Sequence, residues 1–134
     1  MNRRHARIKA VQSLYQVEMT SVDPDEAIEA VLAEKEEKTP FLADLVHGTL
    51  ENINEIDELL ERSLKNWSLT RISRVDRAIL RIAVYEMKWV EDIPVNVSIN
   101  EAIDLAKGFT GEEDPGKFVN GVLSNLAASL NEIQ

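Results

Sequence analysis

Three arginines at the start of the chain, Arg3, Arg4 and Arg7, are the residues best suited to bind a charged ligand. Residues 1–17 carry four Lys or Arg side chains and no acid, although the whole chain has a net charge of −9. Because exposed charges more than about 8 to 10 Å apart are screened at physiological salt, a phosphate chain responds to the local field more than to the total charge. The N-terminal segment is therefore a candidate phosphate-binding site.

The helical pattern of the same segment creates a conflict for these arginines. If a helix already exists at Arg3, all three project on the same side as Val11 and Leu14, where guanidinium groups could not be buried unpaired. We expect the first turns to overhang the protein, or to fray into an arm, and to carry their charge free in solvent. The alternative is a solvated, disordered N terminus without a binding role.

Glu86 is a second charged residue on an apolar helix face. A buried carboxylate must find hydrogen-bond donors or take up a proton. We expect Glu86 to accept from a helix start, from a neighbouring amide such as Asn100, or from a basic side chain. A structural role is favoured over a catalytic one.

Signatures of catalysis and of cofactor binding are absent from the sequence. His5 and His47 are far apart, and the chain has no Cys to complete a zinc site. It contains no P-loop, no G-x-G-x-x-G and no G-x-S-x-G element. Exposed carboxylate pairs without a pocket do not make a general acid and base. We therefore expect no enzyme activity, no metal and no cofactor.

Hydrophobic periodicity predicts a compact all-α bundle of six or seven helices. The central helix, residues 73–90, is apolar over most of its circumference and has to be covered from several directions. The other predicted helices cover residues 3–19, 23–35, 95–109 and a last segment from 114, while residues 41–64 form one long helix or two in line. The alternation of Val95, Val97 and Ile99 also fits a short strand, but it has no partner strand and a helix is preferred. Gly48 indicates a close approach of two helices.

The length of 134 residues fits one domain. We expect Trp67, Leu69 and Ile72 to tuck beneath the central helix, leaving no flexible linker there. The chain has no cysteine and no apolar run of the roughly 18 residues that a membrane span needs. We expect a soluble cytoplasmic protein with no membrane association.

Several sequence blocks resemble the NusB family of bacterial transcription antitermination factors. The blocks are R-R-H-A-R with A-V-Q-S-L-Y-Q, then V-D-R-A-I-L-R-I-A-V-Y-E, I-P-V-N-V-S-I-N-E-A-I-D-L-A-K and K-F-V-N-G-V-L. They follow in the family's order and spacing from about Arg3 to Leu126. The resemblance implies one all-helical RNA-binding domain, residues 1–134, with two packed halves of about 1–66 and 67–134.

The resemblance also implies a function and its site residues. Members of the family bind boxA RNA together with NusE, the tenth protein of the small ribosomal subunit, and modify RNA polymerase so that it passes terminators, notably in ribosomal RNA operons. Carried over by position, the RNA-binding residues are Arg3, Arg4, Arg7, Gln12, Tyr15, Lys117 and Phe118. A basic cluster beside aromatic rings suits single-stranded RNA, through phosphate neutralisation and base stacking. By spacing alone, Tyr15 and Phe118 are better explained as core residues, and the resemblance makes a role in binding equally plausible.

The implied protein-binding face includes Tyr15, Asp76 and Arg77. Leu80, Val84 and Met87 would provide its apolar part if other helices leave them uncovered. A homodimer is also considered. The alternative function is a helical protein-interaction adaptor that binds no RNA itself. A further alternative is an N-terminal domain of the kind fused to RNA methyltransferases, but the chain ends before such a catalytic domain.

Overall fold

The computed structural model describes the backbone of residues 1–133 and the side chains of residues 1–131. Within these residues the chain forms seven α-helices, one short 3₁₀ turn and no strand. The helices are α1 (Arg3–Thr20), α2 (Pro24–Val31), α3 (Pro40–Glu51), α4 (Ile53–Ser63), α5 (Arg74–Trp89), α6 (Val95–Thr110) and α7 (Asp114–Ile133), with the turn at Leu69–Arg71. The predicted all-α class is confirmed, and the segment beginning at Val95 is helical.

Side-chain caps fix the starts of most helices. The backbone N–H groups of the first turns donate to the side chains of Asn2, Asp23, Thr39 and Ser73. Each such cap stabilises a helix by about 1 kcal/mol. The helix predicted over 23–35 ends earlier, at Val31, because Leu32 is extended and the Val31 carbonyl accepts from Lys9 Nζ at 2.7 Å.

The long pattern over residues 41–64 forms two helices, and the break lies at Asn52. The Asn52 side-chain amide donates to the Gly48 carbonyl at 2.8 Å, and the Asn52 backbone leaves the helical region. Gly48 itself faces Tyr85 of α5, where an added Cβ would lie 2.2 Å from the ring carbon Cζ. The predicted close approach of helices at Gly48 is confirmed, and it allows the Tyr85 hydroxyl to donate to Asp44 at 2.8 Å.

Helix α5 is the centre of the bundle and contacts α1, α3, α4, α6 and α7. Its side chains join the buried residues of the other helices in one hydrophobic cluster. Leu80 and Val84 are completely buried. The prediction that they contribute to an exposed protein-binding face is therefore wrong, because neighbouring helices cover this part of α5. Met87 is only partly exposed.

The segment between α4 and α5 is packed only in part as predicted. Leu69 and Ile72 are buried, but Trp67 is about half exposed. The Trp67 ring meets the edge of Phe118 with a centroid distance of 5.9 Å, and the Arg71 guanidinium lies 5.8 Å from its centroid. The prediction that Trp67 tucks beneath α5 is therefore wrong. None of the described helices has both the length and the apolar character to cross a lipid bilayer.

Candidate nucleic-acid interface

Arg7 lies in the core, with 3% of its surface exposed. Its Nε and Nη2 donate to the two carboxylate oxygens of Glu86 at 2.9 and 2.7 Å, and Ser98 Oγ donates to the same carboxylate at 3.0 Å. The predicted free arm is wrong for this residue, because α1 is helical from Arg3 and α5 supplies a buried counter-charge. Of the donors expected for Glu86, a basic side chain is the one found.

Arg3 and Arg4 reach the surface, with 51% and 59% of their side chains exposed. Arg3 Nη2 donates to Asp92 at 2.9 Å, which holds the pKa of that carboxyl below its usual range. Arg4 donates through Nε and Nη2 to Glu101 at 3.1 and 3.2 Å, and through Nη2 to Asp104 at 3.0 Å. Both guanidinium groups are accessible. The prediction that their charges are free in solvent is wrong, because each is paired with at least one carboxylate.

A shallow groove of about 210 Å³ between α1 and α6 begins at Arg4. Ile8 and Leu105 line it, and the exposed ring of Phe109 stands at its far end. Phe109 also borders a second depression that contains Gln12 and Tyr15. We call this strip, from Arg4 past Phe109 to Tyr15, the α1/α6 surface. It combines guanidinium charge, amide hydrogen-bonding groups and two aromatic rings.

The two remaining predicted RNA-binding residues, Lys117 and Phe118, belong to a separate group on α7. Phe118 is half-buried against Trp67, and Lys117 is exposed. Among the described residues no ion pair, hydrogen bond or ring contact joins them to the arginines of α1. We call Trp67, Arg71, Lys117 and Phe118 the α7 patch.

Asp76 and Arg77 lie in the first turn of α5 and differ in their surroundings. Arg77 is nearly buried and donates through Nη1 to the carbonyls of Leu69 and Ile72, while its Nη2 pairs with Glu18 of α1. Its role is largely structural. Asp76 Oδ1 is buried without a hydrogen-bond donor, and burial raises the pKa of this carboxyl. Only the exposed part of the side chain is within reach of a bound protein.

Sequence reasoning missed two exposed rings, Trp67 and Phe109. The helical period assigned Phe109 to the core because it shares the spacing of buried residues on α6. Only the absence of a covering helix at the end of α6 exposes it. The position of Trp67 in a short connecting segment was the one local indication that its ring reaches the surface.

Each histidine lies within hydrogen-bond distance of a carboxylate. His5 Nε2 lies 2.6 Å from Glu36, and His47 Nε2 lies 2.8 Å from Asp25. The pKa of Glu36 is lowered by the backbone N–H of Ala33 and by His5, and that of Asp25 by its hydrogen bond with His47. In the part of the chain that the structure describes, no group of three or more His, Asp or Glu side chains could hold a metal ion.

Comparison with known proteins identifies closely similar sequences and structures. Residues 4–128 match the NusB family. The transcription antitermination protein NusB of Bacillus subtilis (strain 168) is 54% identical over 133 residues, covering 98% of this chain and 99% of that protein. The solved structure of NusB from T. maritima has a TM-score of 0.85 at 40% identity and covers 96% of this chain and 92% of that one. A crystal structure of the antitermination factors NusB and NusE in complex with dsRNA has a TM-score of 0.83 at 31% identity, with coverage of 95% and 96%.

Proposed function

The chain belongs to the NusB family, and we propose that it is a transcription antitermination factor that binds boxA-type single-stranded RNA together with NusE. Family membership confirms the resemblance expected from the sequence, and the matched relatives are antitermination proteins rather than enzymes. In this proposal residues 1–134 form a single RNA-binding domain whose halves are about 1–66 and 67–134.

The observation that carries the proposal is the α1/α6 surface. Recognition of single-stranded RNA combines phosphate neutralisation with stacking of splayed bases on aromatic rings. Arg4 offers an accessible guanidinium group for phosphates on this surface, and Arg3, which precedes it on α1 and lies over the Phe41 ring, offers a second one beside it. Phe109 and Tyr15 offer rings, and Gln12 offers an amide beside them. Arg7 is left out of the contact set, because reaching a phosphate would break its buried pair with Glu86.

The α7 patch is a second place for RNA in the same proposal. Trp67 presents an exposed ring, Phe118 supports it from the side, and Lys117 adds an exposed charge. Stacking of a base on an aromatic side chain contributes about 1 to 3 kcal/mol. The patch therefore strengthens binding of an RNA that is already held by the arginines.

NusE is the proposed protein partner, on the face formed by Tyr15, Asp76 and the exposed edge of Arg77. The Asp76 side chain is partly exposed and offers a negative charge that a basic group of a partner could pair with. We further propose that the complex acts on RNA polymerase during transcription of ribosomal RNA operons, and therefore works in the cytoplasm. A homodimer of the free chain is also part of the proposal.

Fluorescence anisotropy with a boxA-type RNA, with and without NusE, tests the proposal. We expect the double variant Arg3→Ala, Arg4→Ala to bind RNA about tenfold or more weakly, because hydrogen bonds to charged groups are lost. Arg62→Ala is the matched control, since Arg62 is equally exposed and paired with Glu58 on α4. Circular dichroism should show all variants folded. Equal RNA affinity of the double variant and the wild type would remove the arginines from the site.

One observation favours a second candidate function, a protein-interaction adaptor without RNA binding. All three arginines of α1 are paired with carboxylates of the same chain. The same titration separates the two functions. An adaptor would bind NusE with unchanged affinity in the presence of RNA and would give no anisotropy change with RNA alone.

A further inference from the structure

Arg4 is held by two carboxylates of α6 that occupy the atoms a phosphate would use. Glu101 accepts from Nε and Nη2, one of the two edges of the guanidinium that can bind an anion in bidentate fashion. Asp104 accepts a second hydrogen bond from Nη2 at 3.0 Å. Among the described residues no acceptor engages Nη1, so a phosphate that binds the second edge of the guanidinium, Nη1 with Nη2, must replace Asp104 at Nη2.

The two carboxylates are not equally free to leave. The Glu101 side chain is 19% exposed, and its Oε2 also lies 3.9 Å from Nη1 of the buried Arg7. The Asp104 side chain is 53% exposed and forms its ion pair with Arg4. Moving Asp104 into water costs one surface contact, whereas moving Glu101 also removes a charge from beside Arg7.

We propose that Asp104 competes with RNA phosphate for Arg4 and thereby sets the affinity of the site, while Glu101 is a positioning residue that orients the Arg4 guanidinium. The inference rests on the proposed RNA-binding function. Asp104 acts as an internal substitute for a phosphate group, and it leaves when RNA arrives. Glu101 remains and keeps Arg4 on the α1/α6 surface.

This competition also determines which ligands can bind. An isolated phosphate must displace Asp104 in exchange for one contact of similar strength, and so gains little. A strand that places phosphates at both Arg3 and Arg4 replaces Asp92 and Asp104 in one binding event, so that the second exchange is intramolecular and the two small gains add. The arrangement therefore favours a continuous phosphate chain over nucleotides and inorganic phosphate.

Neutralising each carboxylate in turn tests the proposal, with a boxA-type RNA as the probe in anisotropy titrations of the full chain. We expect Asp104→Asn to bind RNA about two- to fivefold more tightly, the range expected for removal of a surface ion pair. Glu101→Gln, which removes the same charge a short distance away, should bind no more tightly than the wild type. Glu58→Gln is the control, because it removes one exposed carboxylate paired with Arg62 on α4.

An Arg4→Ala background provides the second readout. There the gain from Asp104→Asn and the effect of Glu101→Gln should both disappear, because both act through Arg4. A change in RNA affinity that persists without Arg4 would mean that these substitutions act on the fold or on the overall electrostatic field of the protein. That result would overturn the proposal.

Three further outcomes are distinguishable. Equal gains from all three neutralisations would overturn the proposal by showing that total charge alone controls binding, as would no gain for Asp104→Asn when the wild type binds RNA. Absence of RNA binding by every protein, with and without NusE, would instead overturn the proposed function and this inference with it.

Discussion

The buried ion pair between Arg7 and Glu86 predicts that Arg7→Met destabilises the protein strongly. The substitution keeps a long unbranched side chain, so the cavity that it leaves is small. It removes the two Arg7 donors of the Glu86 carboxylate, and Glu86 is only 1% exposed. The hydrogen bond from Ser98 Oγ, at 3.0 Å, would remain. The cost therefore comes mainly from an uncompensated buried charge.

The expected loss is about 3 to 5 kcal/mol, the cost of removing one partner of a buried pair. That is a large share of the roughly 5 to 15 kcal/mol that stabilise a domain. The free energy of unfolding typically falls by about 2 kcal/mol per molar urea in a small protein, so the urea concentration at the unfolding midpoint should fall by about 2 M. The double variant Arg7→Met, Glu86→Leu should recover most of this loss, because no charge then remains buried.

Urea unfolding followed by circular dichroism measures these differences. Arg62→Met, at an exposed arginine with a single ion pair on α4, is the control and should change stability by less than about 1 kcal/mol. If Arg7→Met behaved like this control, Arg7 would be solvated rather than buried. Arg7 would then return to the set of candidate RNA contacts.

Three other substitutions give independent predictions. Gly48→Ala should destabilise the protein by about 1 to 3 kcal/mol or more in thermal unfolding, since the new Cβ would overlap the Tyr85 ring. An unchanged stability would contradict the close approach of α3 and α5 at Gly48. Burial and the hydrogen bond to Asp44 raise the pKa of Tyr85 from 10.0 to about 12. The protonated hydroxyl therefore stabilises the folded protein fully below pH 10, and this stabilisation is lost as the pH rises toward 12. The stability difference between wild type and Tyr85→Phe should shrink over that range in urea unfolding, and a constant difference would refute the assignment. Asp76→Lys should weaken NusE binding in calorimetry and change stability by no more than about 1 kcal/mol; unaltered binding would remove Asp76 from the partner face.

The fold was largely predictable because each helix buries a periodic apolar stripe. Helix α5, apolar nearly all round, was correctly placed at the centre, and the same observation already implied that Leu80 and Val84 would be covered. The helix ends were harder. The break at Asn52 and the early end of α2 depend on side-chain bonds to the carbonyls of Gly48 and Val31, and the bond from Lys9 to Val31 crosses from another helix.

The site was less predictable because it depends on contacts between distant parts of the chain. Arg7 and Glu86 each appeared as a charged residue on an apolar face, and pairing them would have solved both problems. They are 79 residues apart, and periodicity within a helix contains no information about such pairs. The same limit applies to Phe109 and Trp67, whose exposure is set by the ends of neighbouring helices rather than by local spacing.

The central claim is that RNA phosphates are held by exposed cations, chiefly Arg3, Arg4 and Lys117, and the salt dependence of RNA binding tests it most directly. For single strands each neutralised phosphate contributes about −0.7 to the slope of log K against log salt concentration. Three contacts predict a slope of about −2 for the wild type, and Arg4→Ala should make it less steep by about 0.7. A slope near zero, or one that Arg4→Ala leaves unchanged, would contradict the account.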